Sequence, residues 1–321
     1  RDVAPSRGLG DVYKRQVIEF ESGSQLREIG KTAFYNTKAL ESIDIPSTVT
    51  SIGESAFANC FSLEKIELGQ IESLGQNTFA NCSSLETAKI QGSPNVIYPP
   101  NMFSMWTGYS AAPLKTLEIG AGNIRFGLNN QKDSIETVVL GDGVTEIPNH
   151  FAAGCTKLTS VSLPDALTSV PVYAFNGCSS LKKIGISENS KLQYIGNGAF
   201  GNSALTQIYI PKGVISIGES AFNRTPITVF DMSDVIADHM AVGDYAINNW
   251  YAPSEKPPVW KNNFKYIYVS NSGAAASVEE KTNCCDYAFF VTNGGSVDAT
   301  KTGFAAVYRE GYTAKWYDNK D

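Results

Sequence analysis

Apolar residues recur along this chain in two registered series. An aliphatic residue, often followed by glycine, stands at Ile29, Ile52, Leu74, Ile97, Ile124, Ile147, Val170, Ile195 and Ile217, at steps of 23, 22, 23, 27, 23, 23, 25 and 22 residues. The hexapeptide IGESAF is written in full at 52–57 and again at 217–222. In register with this series runs L-x-x-I-x-I, as LESIDI (40–45), LEKIEL (63–68), LETAKI (85–90), LKTLEI (114–119), IETVVL (135–140), LTSVSL (158–163), LKKIGI (181–186), LTQIYI (205–210) and ITVFDM (227–232). Self-similarity at a fixed period of this length is the mark of a stacked repeat.

The pattern within one repeat predicts its elements. Alternating apolar residues such as Ile66 and Leu68 fit a strand with one buried face. Pro46, Gly69, Gly120, Gly141, Pro164 and Pro211 stop that strand. A second short extended piece (TSIG, 50–53) follows, and then a bulky core plug at Phe34, Phe57, Phe79, Phe175, Phe200 and Phe222. A slot before the next strand holds Asn36, Asn59, Asn81, Gly154, Gly177 or Asn202, the two residue types that best tolerate positive φ, so a left-handed residue is expected there. One repeat cannot bury enough surface alone, and stacking must supply the rest. The expected fold is mainly β with short helical turns: a solenoid of about ten rungs with one parallel sheet along a side.

Repeats of the form I-G-x-x-A-F-x-N-C-x-S-L-x-x-I-x-I-P resemble the BspA-type leucine-rich repeat of bacterial surface proteins, over about 18–232 and most strongly over 26–90 and 147–232. The resemblance implies a right-handed solenoid and a binding rather than catalytic role. The middle departs from the pattern: Leu85 to Leu114 spans 29 residues, and IRFGLNNQKDS (124–134) lacks the Phe-Asn-Cys core. Irregular insertions are expected at 91–112 and 233–262, and FKYIYV (264–269) is expected to form a terminal rung with a cap reaching 283. SGAAASVEEKTN (272–283) reads as a short helix with Ser272 as its N-cap. TNGGSV and REGYTAKWYDNKD within 284–321 resemble the internalin-type B-repeat (Listeria-Bacteroides repeat), which implies a small β-grasp-like module, here partial. Residues 1–16 carry no repeat character, and DVYKRQ resembles a sequencing adapter read through as protein. The repeat pattern therefore begins in mid-rung at 17, and end-to-end self-association through that rung is expected.

Composition narrows the function. The 321 residues are 42% hydrophobic and 18% charged, as in a folded protein, and the net charge is −6. Such a balance argues against nucleic acid, which needs a basic face. No run of 18 apolar residues is present, so no membrane span is expected. Cys60, Cys82, Cys155 and Cys178 share one slot that Thr37 and Ser203 fill elsewhere, and they read as small buried thiols. Stacking sets Cys60 beside Cys82 and Cys155 beside Cys178, but with side chains pointing the same way rather than at each other. Cys284 and Cys285 are adjacent. His150 and His239 are the only histidines, and no catalytic motif, metal-ligand spacing or cofactor fingerprint accompanies them. No enzyme activity, metal or cofactor is expected.

Binding is the better class, and two groups of residues are its candidates. Outward positions of the strands carry Lys65, Glu67, Lys89, Glu118, Lys183 and Tyr209, read either as a recognition face or as a solvated sheet face whose charges neutralise one another. The segment VIYPPNMFSMWTGYS (96–110) carries Tyr98, Met102, Phe103, Met105, Trp106 and Tyr109, read either as an aromatic interaction loop or as a degenerate rung that fills a widened core. The resemblances together imply an extracellular or cell-surface adhesion module with a protein or glycan ligand on a host or neighbouring cell. A structural spacer without a ligand site is the alternative, and an enzyme with an unrecognised carboxylate pair a remoter one.

Overall fold

The computed structural model describes residues 16–227, 229–231, 239–242, 246, 259–261, 264–269, 287–292 and 315–317. Expectations for residues 1–15, the 272–283 helix, Cys284–Cys285 and the TNGGSV turn lie outside these residues. The chain is a β-solenoid. Its main sheet is parallel through Lys65–Leu68, Thr87–Ile90, Thr116–Ile124, Thr137–Glu146, Ser160–Ser162 and Lys183–Gly185, in register across the strand starts and shifting only beyond Leu140, where the two long strands pair past the corner. On the same side, Gln16–Ile18 pairs with Leu40–Ile43 before it, and Gln207–Tyr209, Val229–Asp231 and Val259–Lys261 form a separate parallel group after it. Inward residues such as Ile66, Ala88 and Leu117 are fully buried while their neighbours are open, as period-two alternation requires.

A second line of two-residue strands runs along another side. Glu28–Ile29, Ser51–Ile52 and Ser73–Leu74 pair in parallel, as do Ser169–Val170, Tyr194–Ile195, Ser216–Ile217 and the four-residue His239–Val242. Between them, Thr116–Ile124 and Thr137–Glu146 run unbroken round the corner that other rungs turn with Pro or Gly, and Ile97–Tyr98 pairs with the far end of the former. Tyr98 fills that corner, its hydroxyl donating to the Ala121 carbonyl at 2.8 Å.

The remaining side is built from turns. Each of seven rungs carries two left-handed residues four apart: Thr32/Asn36, Ser55/Asn59, Asn77/Asn81, His150/Gly154, Tyr173/Gly177, Gly198/Asn202 and Ser220/Arg224. The second member is the Asn/Gly slot, at positive φ in all six positions named from the sequence. Backbone amides here alternate in their use. Those of Ala33, Tyr35 and Thr37 close turns inside the rung, whereas Phe34, Phe57, Phe79, Phe175 and Phe200 donate to the next rung at 2.8–3.0 Å. These amides thus find acceptors without helix or sheet. The one regular helical element among the described residues is the 3-10 turn Asn129–Gln131.

The core is a spine of rings between these sides. Phe34, Phe57, Phe79 and Phe103 stack at 5.0–5.8 Å, and Phe175, Phe200 and Phe222 at 5.4–5.6 Å. The glycine after the aliphatic residue answers to close approach at Gly53, Gly75, Gly196 and Gly218. A Cβ at Gly75 would lie 2.2 Å from the Glu54 amide nitrogen, and one at Gly53 would lie 2.5 Å from that of Lys31.

Three expectations change. Among the described residues the parallel group reaches Val259–Lys261, whereas Phe264–Val269, expected as a rung, pairs antiparallel with Tyr287–Thr292 and Lys315–Tyr317. Both stretches alternate, but only the former stands where Val229–Asp231 leaves an edge to pair. The stretch 233–262 is not wholly irregular, since His239–Val242 continues the second line and the buried Ala246 accepts the Phe222 amide at 2.7 Å. The rung at 96–104 is likewise ordinary, with Phe103 in the plug position, so the extra residues fall after Ser104.

Candidate binding face and rim

The outward positions of the main sheet form rows set by its register. One runs Lys65, Thr87, Thr116, Thr137, Ser160, Lys183; the next runs Glu67, Lys89, Glu118, Val139, Ser162, Gly185. Parallel pairing brings each residue to roughly 4.8 Å from its row neighbours. Opposite charges meet on this lattice. Lys65 Nζ lies 2.7 Å from Glu67 Oε1, Lys89 Nζ 2.7 Å from Glu118 Oε1, and at the strand starts Lys115 Nζ lies 2.7 Å from Glu86 Oε1. The hydrogen bond to Glu118 raises the Lys89 pKa above its ordinary value. Lys183 shares the sheet but has no carboxylate within ion-pair distance among the described residues. Tyr209 is half-buried and lies in the next parallel group on the same side, beyond Lys183–Gly185 and in register with Asp231.

The aromatic segment divides. Tyr98, Met102 and Phe103 are core residues, at 0%, 0% and 4% exposure, and are withdrawn from any ligand surface. Burial pushes the Tyr98 phenol pKa up. Met105 and Tyr109 are nearly half exposed and Trp106 is half-buried. The residues after Ser104 lie on the rim, where the chain enters the main-sheet strands, and two contacts fix them there. The Trp106 amide donates to Asn81 Oδ1 at 2.8 Å, and Asn81 Nδ2 donates to Asn59 Oδ1 at 2.8 Å inside the core. The Tyr109 ring then stacks on Phe61 at 5.6 Å and 14°. Lys38 Nζ stands 5.8 Å from the Phe61 centroid, a cation over an aromatic face.

Lys38 and Phe61 were not among the sequence candidates. Their signal is positional: the residue after the small-residue slot is Lys38, Ser83, Thr156 or Ser179 in other rungs, and Phe61 is the one bulky apolar residue among these.

Among the described residues no three His, Cys, Asp or Glu side chains gather to hold a metal ion, and no helix is long and apolar enough to cross a membrane. The His150 ring stacks on Tyr173 at 5.2 Å. Cys60, Cys82, Cys155 and Cys178 are buried free thiols, three of which donate to a carbonyl of the preceding rung, as Cys60 does to Phe34 at 3.2 Å. Burial pushes the thiol pKa of Cys60, Cys155 and Cys178 up to about 12, and that of Cys82 up as well.

Comparison with solved structures finds a leucine-rich repeat protein from Bacteroides ovatus, 18% identical over 74% of this chain and 75% of that one, with a TM-score of 0.40. It also finds a leucine rich cell surface protein from Faecalibacterium prausnitzii, 24% identical over 70% of this chain and 48% of that one, with a TM-score of 0.31. The pneumococcal vaccine antigen PcpA is 18% identical over 66% of this chain and 61% of that one, with a TM-score of 0.30. Comparison with curated proteins finds no match. The family profile described as "BspA type Leucine rich repeat region" matches in six copies over residues 12–111 and 123–250, more than half of the chain. The repeat that the glycine close approaches, the ring spine and the left-handed slot build is the one this profile matches, and the chain belongs to the BspA-type leucine-rich-repeat family.

Proposed function

We propose that this chain is a non-catalytic recognition module, displayed outside a bacterial cell, that binds a protein on a host or neighbouring cell. The observation that carries this reading is the exposed rim ledge of Tyr109 stacked on Phe61, with the exposed Met105 four residues before it, at the edge of the half of the sheet whose lysines are already paired. Aromatic residues and Met are enriched at protein interfaces. The paired Lys65, Glu67, Lys89 and Glu118 then contribute register and selectivity more than affinity. Family membership supports the location and the absence of chemistry.

Beads coated with the chain should adhere to cells that carry the partner, and Tyr109→Ala with Met105→Ser should abolish adhesion while the melting transition stays in place. Adhesion indifferent to these changes, and also to Lys65→Glu with Glu67→Lys, would remove the reading. The second reading, a spacer without a ligand site, is favoured by one observation: lysines in the first half of the face already have carboxylate partners.

A further inference from the structure

The two halves of the main sheet treat their lysines differently. Lys65, Lys89 and Lys115 each meet a carboxylate at 2.7 Å. Lys157, Lys182 and Lys183 are all exposed and have no ion-pair partner among the described residues, in a chain whose net charge is −6. They lie together. Lys183 is in register with Ser160, the Lys182 amide donates to the Thr159 carbonyl at 3.0 Å, and Lys157 precedes Thr159 by two residues in the same rung. Glu136, at the strand start one rung earlier, borders the group, and the Lys115 ammonium on its other side is ion-paired with Glu86.

The floor between these lysines is hydroxylic and flat. Thr137, Thr159, Ser160 and Ser162 are exposed. Gly185 offers no side chain, and a Cβ there would lie 2.7 Å from Ser162 Oγ, so the serine hydroxyl rests over the glycine. A glycine inside a strand marks a place where another group can approach the backbone closely. Val139, at 45% exposure, is the one large apolar residue in the patch, and there are no aromatic or Met anchors of the kind found at the rim. Unpaired ammonium groups around a shallow floor of hydroxyls suit a ligand that is itself flat, hydroxylated and anionic.

We propose that Lys157, Lys182 and Lys183 with the Thr159–Ser162 strand form a second binding site, which takes a sulfated, uronic-acid polysaccharide. The sulfate and carboxylate groups meet the three lysines, and the sugar hydroxyls exchange hydrogen bonds with Thr159, Ser160 and Ser162. The site is separate from the rim ledge and does not depend on it.

The test is fluorescence anisotropy of a labelled heparin octasaccharide with the 321-residue chain at about 50 mM and about 300 mM salt, a range over which exposed charges become screened. Saturable binding that weakens with salt is expected. Lys157→Gln, Lys182→Gln and Lys183→Gln together should weaken it about tenfold, since three exposed charge contacts supply only a few-fold each. Lys31→Gln, which removes a lysine already paired with Glu54 at 2.9 Å, should leave it within about twofold. A circular-dichroism melt of the triple variant checks that the fold is intact; exposed Lys→Gln changes leave the core untouched. No binding at low salt, or a triple variant that binds as the parent does, overturns the proposal. Equal competition by polyglutamate of matched charge overturns the assignment to a polysaccharide. Since no cell or protein partner enters the assay, its failure says nothing against the rim reading.

Discussion

Phe151 and Ala152 stand in each other's places. In five other rungs alanine precedes the ring, as Ala56 precedes Phe57; here the ring comes first, and both residues are fully buried. Phe151 consequently meets Phe175 edge-on at 85° and 6.2 Å, where the neighbouring rungs stack nearly flat. Phe151→Ala should cost about 3–5 kcal/mol, and Ala152→Phe alone about 1–3 kcal/mol by overpacking. The two together should recover part of the loss, because they restore the common order. Urea denaturation of the three variants checks this, and additive losses would show that the reversed order is required by the rung before it.

Gly30 and Gly75 occupy the same repeat position with opposite consequences. A Cβ at Gly75 meets the backbone of Glu54, whereas one at Gly30 has nothing within 4 Å. Gly30→Ala should be neutral or stabilising by up to about 1 kcal/mol through the unfolded chain. Gly75→Ala should broaden and lower the thermal transition, since two backbones must separate to admit it. Similar melts for both variants would contradict the packing argument.

Asn81 serves three ends at once: a left-handed backbone, a side-chain hydrogen bond to Asn59, and an acceptor for the Trp106 amide. Asn81→Ala should destabilise by about 1–3 kcal/mol, the usual result of orphaning buried partners. Hydrogen exchange gives a sharper readout, because protection should fall first at Trp106. Unchanged exchange there would mean that the rim is held by the Phe61–Tyr109 stack alone.

The buried thiols make alkaline pH a probe of the core. Their pKa in the folded state is raised above the ordinary value of 9.0 by desolvation. The sign follows from linkage: protons are released more easily from the unfolded chain, so the contribution is complete below pH 9 and is lost as pH rises toward 12. Thiol reagents should label none of Cys60, Cys82, Cys155 and Cys178 at neutral pH without denaturant. Replacing all four by alanine should flatten the fall in stability above pH 9; an unaltered slope would assign that fall to other groups.

Much of this architecture is legible in the sequence because stacking repeats the same demand in every rung. The Asn/Gly slot declares itself at Asn36, Asn59, Asn81 and Asn202 because one backbone conformation selects two residue types. The other left-handed position does not, since Thr32, Ser55, Asn77, His150, Tyr173 and Gly198 share no chemistry; turn bonding there outweighs side-chain preference. Phe103 is hidden in the sequence among neighbouring aromatic residues, and its stack on Phe79 together with the bond from the Phe79 amide to the Met102 carbonyl marks it as a plug. The candidate site was half legible. Register puts Lys65, Glu67, Lys89, Glu118 and Lys183 on one sheet, but the partnership of Phe61 with Tyr109 joins residues 48 positions apart through a loop that no period describes.

That loop leaves the strands on either side undisturbed: Thr87 faces Thr116 and Ala88 faces Leu117 as though no residues had been added. Length at the rim is therefore decoupled from the fold. A lineage of such chains can try new contact loops at this edge by insertion or deletion without renegotiating the core, and an engineer can graft a peptide between Met105 and Ala112 with the same freedom.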